Sequence, residues 1–105
     1  MKPENDFAFK ADQGKPRAAL VLQDFPRALK AIAKVADFGA RKYEPHSWSR
    51  VPEASDRYAD AMMRHFLEHM SGQRADPESE LLHYAHFAWG ALATLELMLR
   101  EQEED

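Results

Sequence analysis

The sequence predicts an all-α protein: a small helical bundle of about three main helices with an irregular N-terminal segment, completed by oligomerisation. Apolar residues recur at helical spacing in two stretches, one running from Phe25 through Leu29, Ile32 and Val35 to Gly39, the other from Tyr58 through Met62 and Phe66 to His69. Strand-like alternation of useful length is missing, and no internal repeat occurs. A third stretch, Tyr84 to Leu99, is apolar nearly all round. A domain of 105 residues cannot easily surround such a helix with its own chain, so further copies are expected to cover it, with Phe87, Trp89, Leu95 and Met98 at the interface.

The elements follow in order within a single domain, 1–105. Residues 1–22 lack periodicity, and Gly14-Lys15-Pro16-Arg17 reads as a turn. A helical core spans residues 24–101. Its first helix starts with Asp24 as N-cap and Pro26 in the first turn, and ends at Arg41 or Tyr43, before Pro45. Residues 44–51 form a loop carrying Trp48, and Pro52 with Ser55 announces a second helix that stops at Ser71-Gly72. Asp76-Pro77-Glu78 supplies an N-cap, a first-turn proline and a carboxylate suited to the dipole, so the third helix is expected from Asp76 to about Glu101. Residues 102–105 close the chain as an acidic tail.

The totals exclude several classes. Zero cysteines rule out a disulfide framework and any thiolate metal site. The start MKPENDFAFK shows no secretory signal, and His86, Thr94 and Glu96 interrupt the longest apolar run before it reaches the ~20 residues of a membrane span. A soluble intracellular protein, with no membrane partner, is therefore expected. Net charge is −4, but Glu101, Glu103, Glu104 and Asp105 account for it, and the body is balanced. A balanced body argues against binding duplex nucleic acid.

Site chemistry concentrates between Arg64 and His86. Four of the five histidines lie there, at 65, 69, 83 and 86, with Glu68, Asp76, Glu78 and Glu80 among them. Residues three or four apart share a helix face, so a helical hairpin brings imidazoles from both arms and carboxylates from the turn to one place. Two readings stay open. The histidines are either hydrogen-bonded core and surface residues, or ligands for a metal. Mixed imidazole and carboxylate donors suit Mn, Zn, Ni or Fe, while Mg prefers carboxylates alone. Lys15 and Arg17 are either a phosphate grip beside a permissive glycine or a solvated turn. Arg41, Lys42, Tyr43 and Trp48 either hold a phosphate and stack a base or, in the case of the two rings, plug the core. Arg64 lies beside His65 and seven residues from Arg57, on the same side of the second helix.

The ordered motifs GKPRxxL, FGARKY, a following Trp48, RYxDAxxRH, Gly72-x-x-x-Asp76-x-Glu78-Ser79 and His83-x-x-His86 resemble a phage-associated family, named for the N-terminal domain of dATP/dGTP diphosphohydrolase, that is similar to MazG-like all-α pyrophosphohydrolases. The resemblance covers residues 12–99. It implies an oligomeric, cytoplasmic (host cytoplasm, if phage-encoded), metal-dependent protein that cuts purine deoxynucleoside triphosphates between the α- and β-phosphates. Under it, His65, Glu68, Asp76, His83 and His86 hold a divalent metal (Mn, Mg, Zn or Ni). Glu68, Asp76 and Glu78 serve catalysis, and Lys15, Arg17, Lys42, Tyr43, Trp48 and Arg64 hold the substrate. MazG-like enzymes carry Glu-x-x-Glu and Glu-x-x-Asp where this chain has His65-x-x-Glu68 and His83-x-x-His86. Gln73 replaces a glutamate and Glu80 a glycine. A non-catalytic protein that binds or sequesters a nucleotide is the alternative.

Overall fold

Residues 11–104 are described by the computed structural model; expectations for residues 1–10 and Asp105 lie outside the described residues. The elements are α1 (Ala19–Leu22), α2 (Pro26–Lys42), a 3-10 turn (Trp48–Arg50), α3 (Ala54–Met70) and α4 (His83–Glu104). The all-α class is as expected, and among the described residues the only β-type pairing is an isolated bridge between Ala75 and Leu82. No helix among them is long and apolar enough to cross a membrane.

α2 begins with Pro26 in its first turn, but Phe25 rather than Asp24 is the N-cap residue. Proline has no amide hydrogen to lose there and its φ is already helical, so the helix starts without a side-chain cap. α3 ends at Met70, and Gly72 with φ 100° turns the chain, as the Ser71-Gly72 pair leads one to expect.

The third main helix starts at His83, seven residues later than the Asp76 signal predicts. That signal does operate locally: Asp76 Oδ2 accepts the Ser79 N–H at 2.8 Å. The turn then closes instead of propagating. Glu80 adopts φ 63°, its N–H donates to the Asp76 carbonyl at 2.8 Å, and the Asp76 N–H donates to the Leu81 carbonyl at 2.8 Å. His83 N–H donates to the Arg74 carbonyl at 3.0 Å, which pins both ends of the loop together. At its other end α4 runs on to Glu104, into the segment expected as a tail.

α3 and α4 form an antiparallel hairpin. Their closest approach is at Gly90, where a Cβ would lie 2.9 Å from Met62 Cβ, so only glycine fits without moving a helix. The hairpin packs Phe66 against Phe87 and Tyr58 against Trp89, with ring centroids 5.2 and 5.1 Å apart. α2 lies across α4, with Val35 buried and Phe38 edge-on to His86. The buried core is otherwise small: Ala54, Ala85 and Ala93. Leu67, Met70, Leu92 and Met98 are each more than half exposed. The radius of gyration is 18.0 Å, against about 13 Å for a compact chain of this length.

Candidate functional site

The pinned loop carries its side chains to the α3–α4 end. His65 from α3, Asp76 from the loop and His83 from the start of α4 each offer a donor atom, and these atoms lie within 4.8 Å of one another. His83 is 2 % exposed, the most enclosed polar residue described, while His65 and Asp76 are half-buried.

Hydrogen bonding fixes the proton positions. Gln73 Oε1 can only accept, so His83 donates from Nε2 at 2.6 Å and its Nδ1 keeps a lone pair. The 2.8 Å contact between the Nδ1 atoms of His65 and His83 is then a bond donated by His65. His86 stacks on His65, with centroids 4.3 Å apart and planes within 9°, and its Nε2 lies 2.7 Å from Ser79 Oγ. Among the described residues no buried side-chain nitrogen or oxygen lacks a partner.

The electrostatics favour neutral rings beside an ionised acid. Burial, then the neighbouring His86, His83 and Arg64, lowers the His65 pKa to about 4, against the pull of Asp76. Burial lowers His86 as well. At Asp76 burial pushes the carboxyl up, but hydrogen bonds from Ser79 and the nearby imidazoles outweigh it and hold the pKa below its usual value. A neutral His65 ring and an ionised Asp76 are protonation states a metal needs. Ligand nitrogens about 2.0–2.1 Å from a metal would sit about 3.0–3.4 Å apart, so His65 and His83 need separate by a few tenths of an ångström and His65 must shift its proton from Nδ1 to Nε2. The donor set fits a borderline metal better than Mg, and Gln73 holds the outer nitrogen of His83 as an outer-shell partner does.

The other expected residues are distributed elsewhere. Glu68 is exposed, and its carboxylate stands outside the three-donor group. Glu78 is exposed and pairs with Lys42, both carboxylate oxygens lying 3.1 Å from Nζ. That bond raises the Lys42 pKa. The Lys42 ammonium also lies 5.5 Å from the exposed Tyr43 ring. Arg64 is exposed beside His65, and Lys15 and Arg17 are exposed around the Gly14 turn. Trp48 is half-buried at the opposite end of the hairpin, between Tyr58 and Trp89, with the Arg100 guanidinium 5.1 Å from its ring. Sequence reasoning missed Gln73 and Ser79 as histidine partners. Their only signal is that a short polar loop between two histidine pairs must satisfy the rings it encloses.

The family model described as dATP/dGTP diphosphohydrolase, N-terminal, matches residues 5–105. A relative from Salmonella phage PMBT28 named dATP/dGTP diphosphohydrolase is 39 % identical over 83 residues, which is 79 % of this chain and 27 % of that protein. The chain thus spans about a quarter of the relative's length. No solved structure matches.

Proposed function

We propose, because the chain belongs to the dATP/dGTP diphosphohydrolase N-terminal family, that it is a MazG-like, metal-dependent hydrolase that releases pyrophosphate from purine deoxynucleoside triphosphates. The observation that carries this reading is the convergence of His65, Asp76 and His83 within 4.8 Å, with the exposed Arg64 next to His65 in sequence. Those three residues would hold a divalent metal, of which Mn, Zn and Ni suit the donors better than Mg. When bound, such an ion polarises phosphoryl oxygens and makes water a better nucleophile. Gln73 and Ser79 orient the imidazoles, Lys42 and Arg64 offset phosphate charge, and Glu68 and Glu78 are exposed carboxylates that can take a proton from water. Exposed apolar side chains on α3 and α4, together with the extended shape, support a homo-oligomer in which a second copy covers them.

One observation favours the non-catalytic alternative. The two Nδ1 atoms already satisfy each other, and a single carboxylate stands where MazG-like sites hold several. A nucleotide panel assayed for pyrophosphate, with and without each metal, decides between them. The hydrolase reading expects turnover that needs metal and disappears in His83→Ala. Binding without turnover under every metal would leave the sequestering reading. The phosphate grip at Lys15 and Arg17 is tested alongside. Replacing both by Ala should weaken triphosphate binding roughly 100-fold, from ~1.5–3 kcal/mol per charge-assisted bond. The melting temperature should hardly change, since exposed substitutions usually shift stability by less than ~0.5 kcal/mol.

A further inference from the structure

Between α2 and the 71–82 loop lies a groove of about 660 Å3 lined by Lys34, Phe38, Arg41, Lys42, Ser79 and Leu81, with Glu78 at its rim. That volume falls within the ~300–1,000 Å3 of small-molecule sites. The α2 residues at 34, 38, 41 and 42 recur at helical spacing, so three cations and one phenyl ring share a face. Phe38 and Leu81 give the groove an apolar floor, and Lys34 makes no ion pair among the described residues. Arg41 pairs only with exposed Asp37 on its own helix. The C-terminal dipole of α2 has the wrong sign for an anion, so these side chains must supply all the attraction.

The groove is continuous with the histidine cluster. Ser79, one of its walls, is 2.7 Å from His86 Nε2, and Phe38 sits edge-on to the same ring at 6.2 Å. Glu78 spans the groove's rim from the loop to Lys42, its two oxygens equidistant from Nζ at 3.1 Å. Both partners are substantially exposed, and pairs of that kind are weak. A carboxylate chelating an ammonium across a cationic groove has the charge and oxygen spacing of a phosphate edge.

We propose that this groove holds the polyphosphate chain of the ligand on Lys34, Arg41 and Lys42, and that Glu78 is a placeholder which the phosphate displaces. The inference rests on the nucleotide reading above and adds Lys34 beside Arg41, together with a reason for the Lys42–Glu78 pair. Displacement leaves the ligand's phosphates beside Ser79 and one residue removed from the imidazoles. It also frees the Glu78 carboxylate next to them.

Calorimetric binding to the full chain, without metal, tests this with three probes: dGTP, deoxyguanosine and inorganic tripolyphosphate. The expected result is that Lys34→Ala with Arg41→Ala weakens dGTP and tripolyphosphate tenfold or more and leaves deoxyguanosine unchanged. Glu78→Gln, which removes the competing charge, should tighten both phosphorylated probes. Arg50→Ala with Arg57→Ala, the same charge change away from α2, should alter none of them by more than about twofold. Wild-type affinity for dGTP in the Lys34/Arg41 variant, or weaker binding in Glu78→Gln, overturns the groove and leaves the nucleotide reading standing. Tripolyphosphate binding that the variant loses, with no nucleotide bound by the wild type, does the reverse.

Discussion

The α3–α4 hairpin is closed at one end by imidazoles and at the other by indoles. At the loop end His65, His83 and His86 are held by Gln73, Ser79 and each other through directed bonds of 2.6–2.8 Å. At the far end Trp48, Tyr58 and Trp89 meet edge-on or tilted at centroid distances of 5.1–6.4 Å, with one hydrogen bond, from the Tyr58 hydroxyl to the Trp48 carbonyl. Apolar contact tolerates small shifts, whereas a buried polar network loses stability sharply once one partner is missing. The aromatic end holds the helices together. At the histidine end, geometry is fixed by directed bonds instead of apolar contact.

The largest effect should come from the aromatic end. Trp89→Ala removes a ring that touches two others and should cost about 3 kcal/mol, read by chemical denaturation. If metal-linked stabilisation survives in this variant, the two ends are independent. If it vanishes, the contrast fails. His83→Ala should cost about 2 kcal/mol by stranding Gln73 and His65, and should abolish any shift in melting temperature on adding Mn, Zn or Ni. Loss of stability with the metal response intact would move the site elsewhere.

Acidification sharpens the same comparison. His65 has a folded pKa of about 4 against its ordinary 6.5, so the unfolded chain binds more protons between those values. In chelator the protein should lose stability as pH falls from about 6.5 towards 4, because protonating His65 opposes folding. Burial acts on His86 in the same direction. Arg64, His83 and His86 add to this trend and Asp76 opposes it. His65→Gln should flatten the curve. An unchanged slope would mean that the ring is not enclosed as described.

The smallest effect concerns the loop. Glu80 sits at φ 63°, which costs a non-glycine residue ~1–2 kcal/mol, while glycine adds ~0.5–1 kcal/mol of chain entropy. Glu80→Gly should therefore stabilise by roughly 0–1 kcal/mol. A clear destabilisation would show that the Glu80 side chain supports the loop.

Helix identity was legible wherever an apolar stripe and a local start or stop signal coincide, as at Pro26 and at Ser71-Gly72. The start of α4 was not. Asp76-Pro77 is a sound N-terminal signal, and what ends its turn is a left-handed Glu80, whose residue type gives no warning. A hairpin that brings His65 and His83 together was legible, while the pinned loop that adds Asp76, and leaves Glu68 and His86 outside the three-donor group, was not. Long-range placement was not: nothing local brings Trp48 beside Tyr58 and Trp89. Lys34 likewise becomes part of a groove only once α2 is laid against the 71–82 loop.

The chain's two tryptophans, Trp48 and Trp89, both lie at the end without histidines, with ring centroids 6.3 Å apart. Intrinsic fluorescence therefore reports the aromatic cluster, while the imidazole proton resonances of His65, His83 and His86 report the loop end. The protein carries two native probes on one hairpin, and no label is needed to read them. Melting curves from the two coincide if the hairpin unfolds as one unit. Their separation, where present, measures directly how far the site can loosen while the scaffold stays shut.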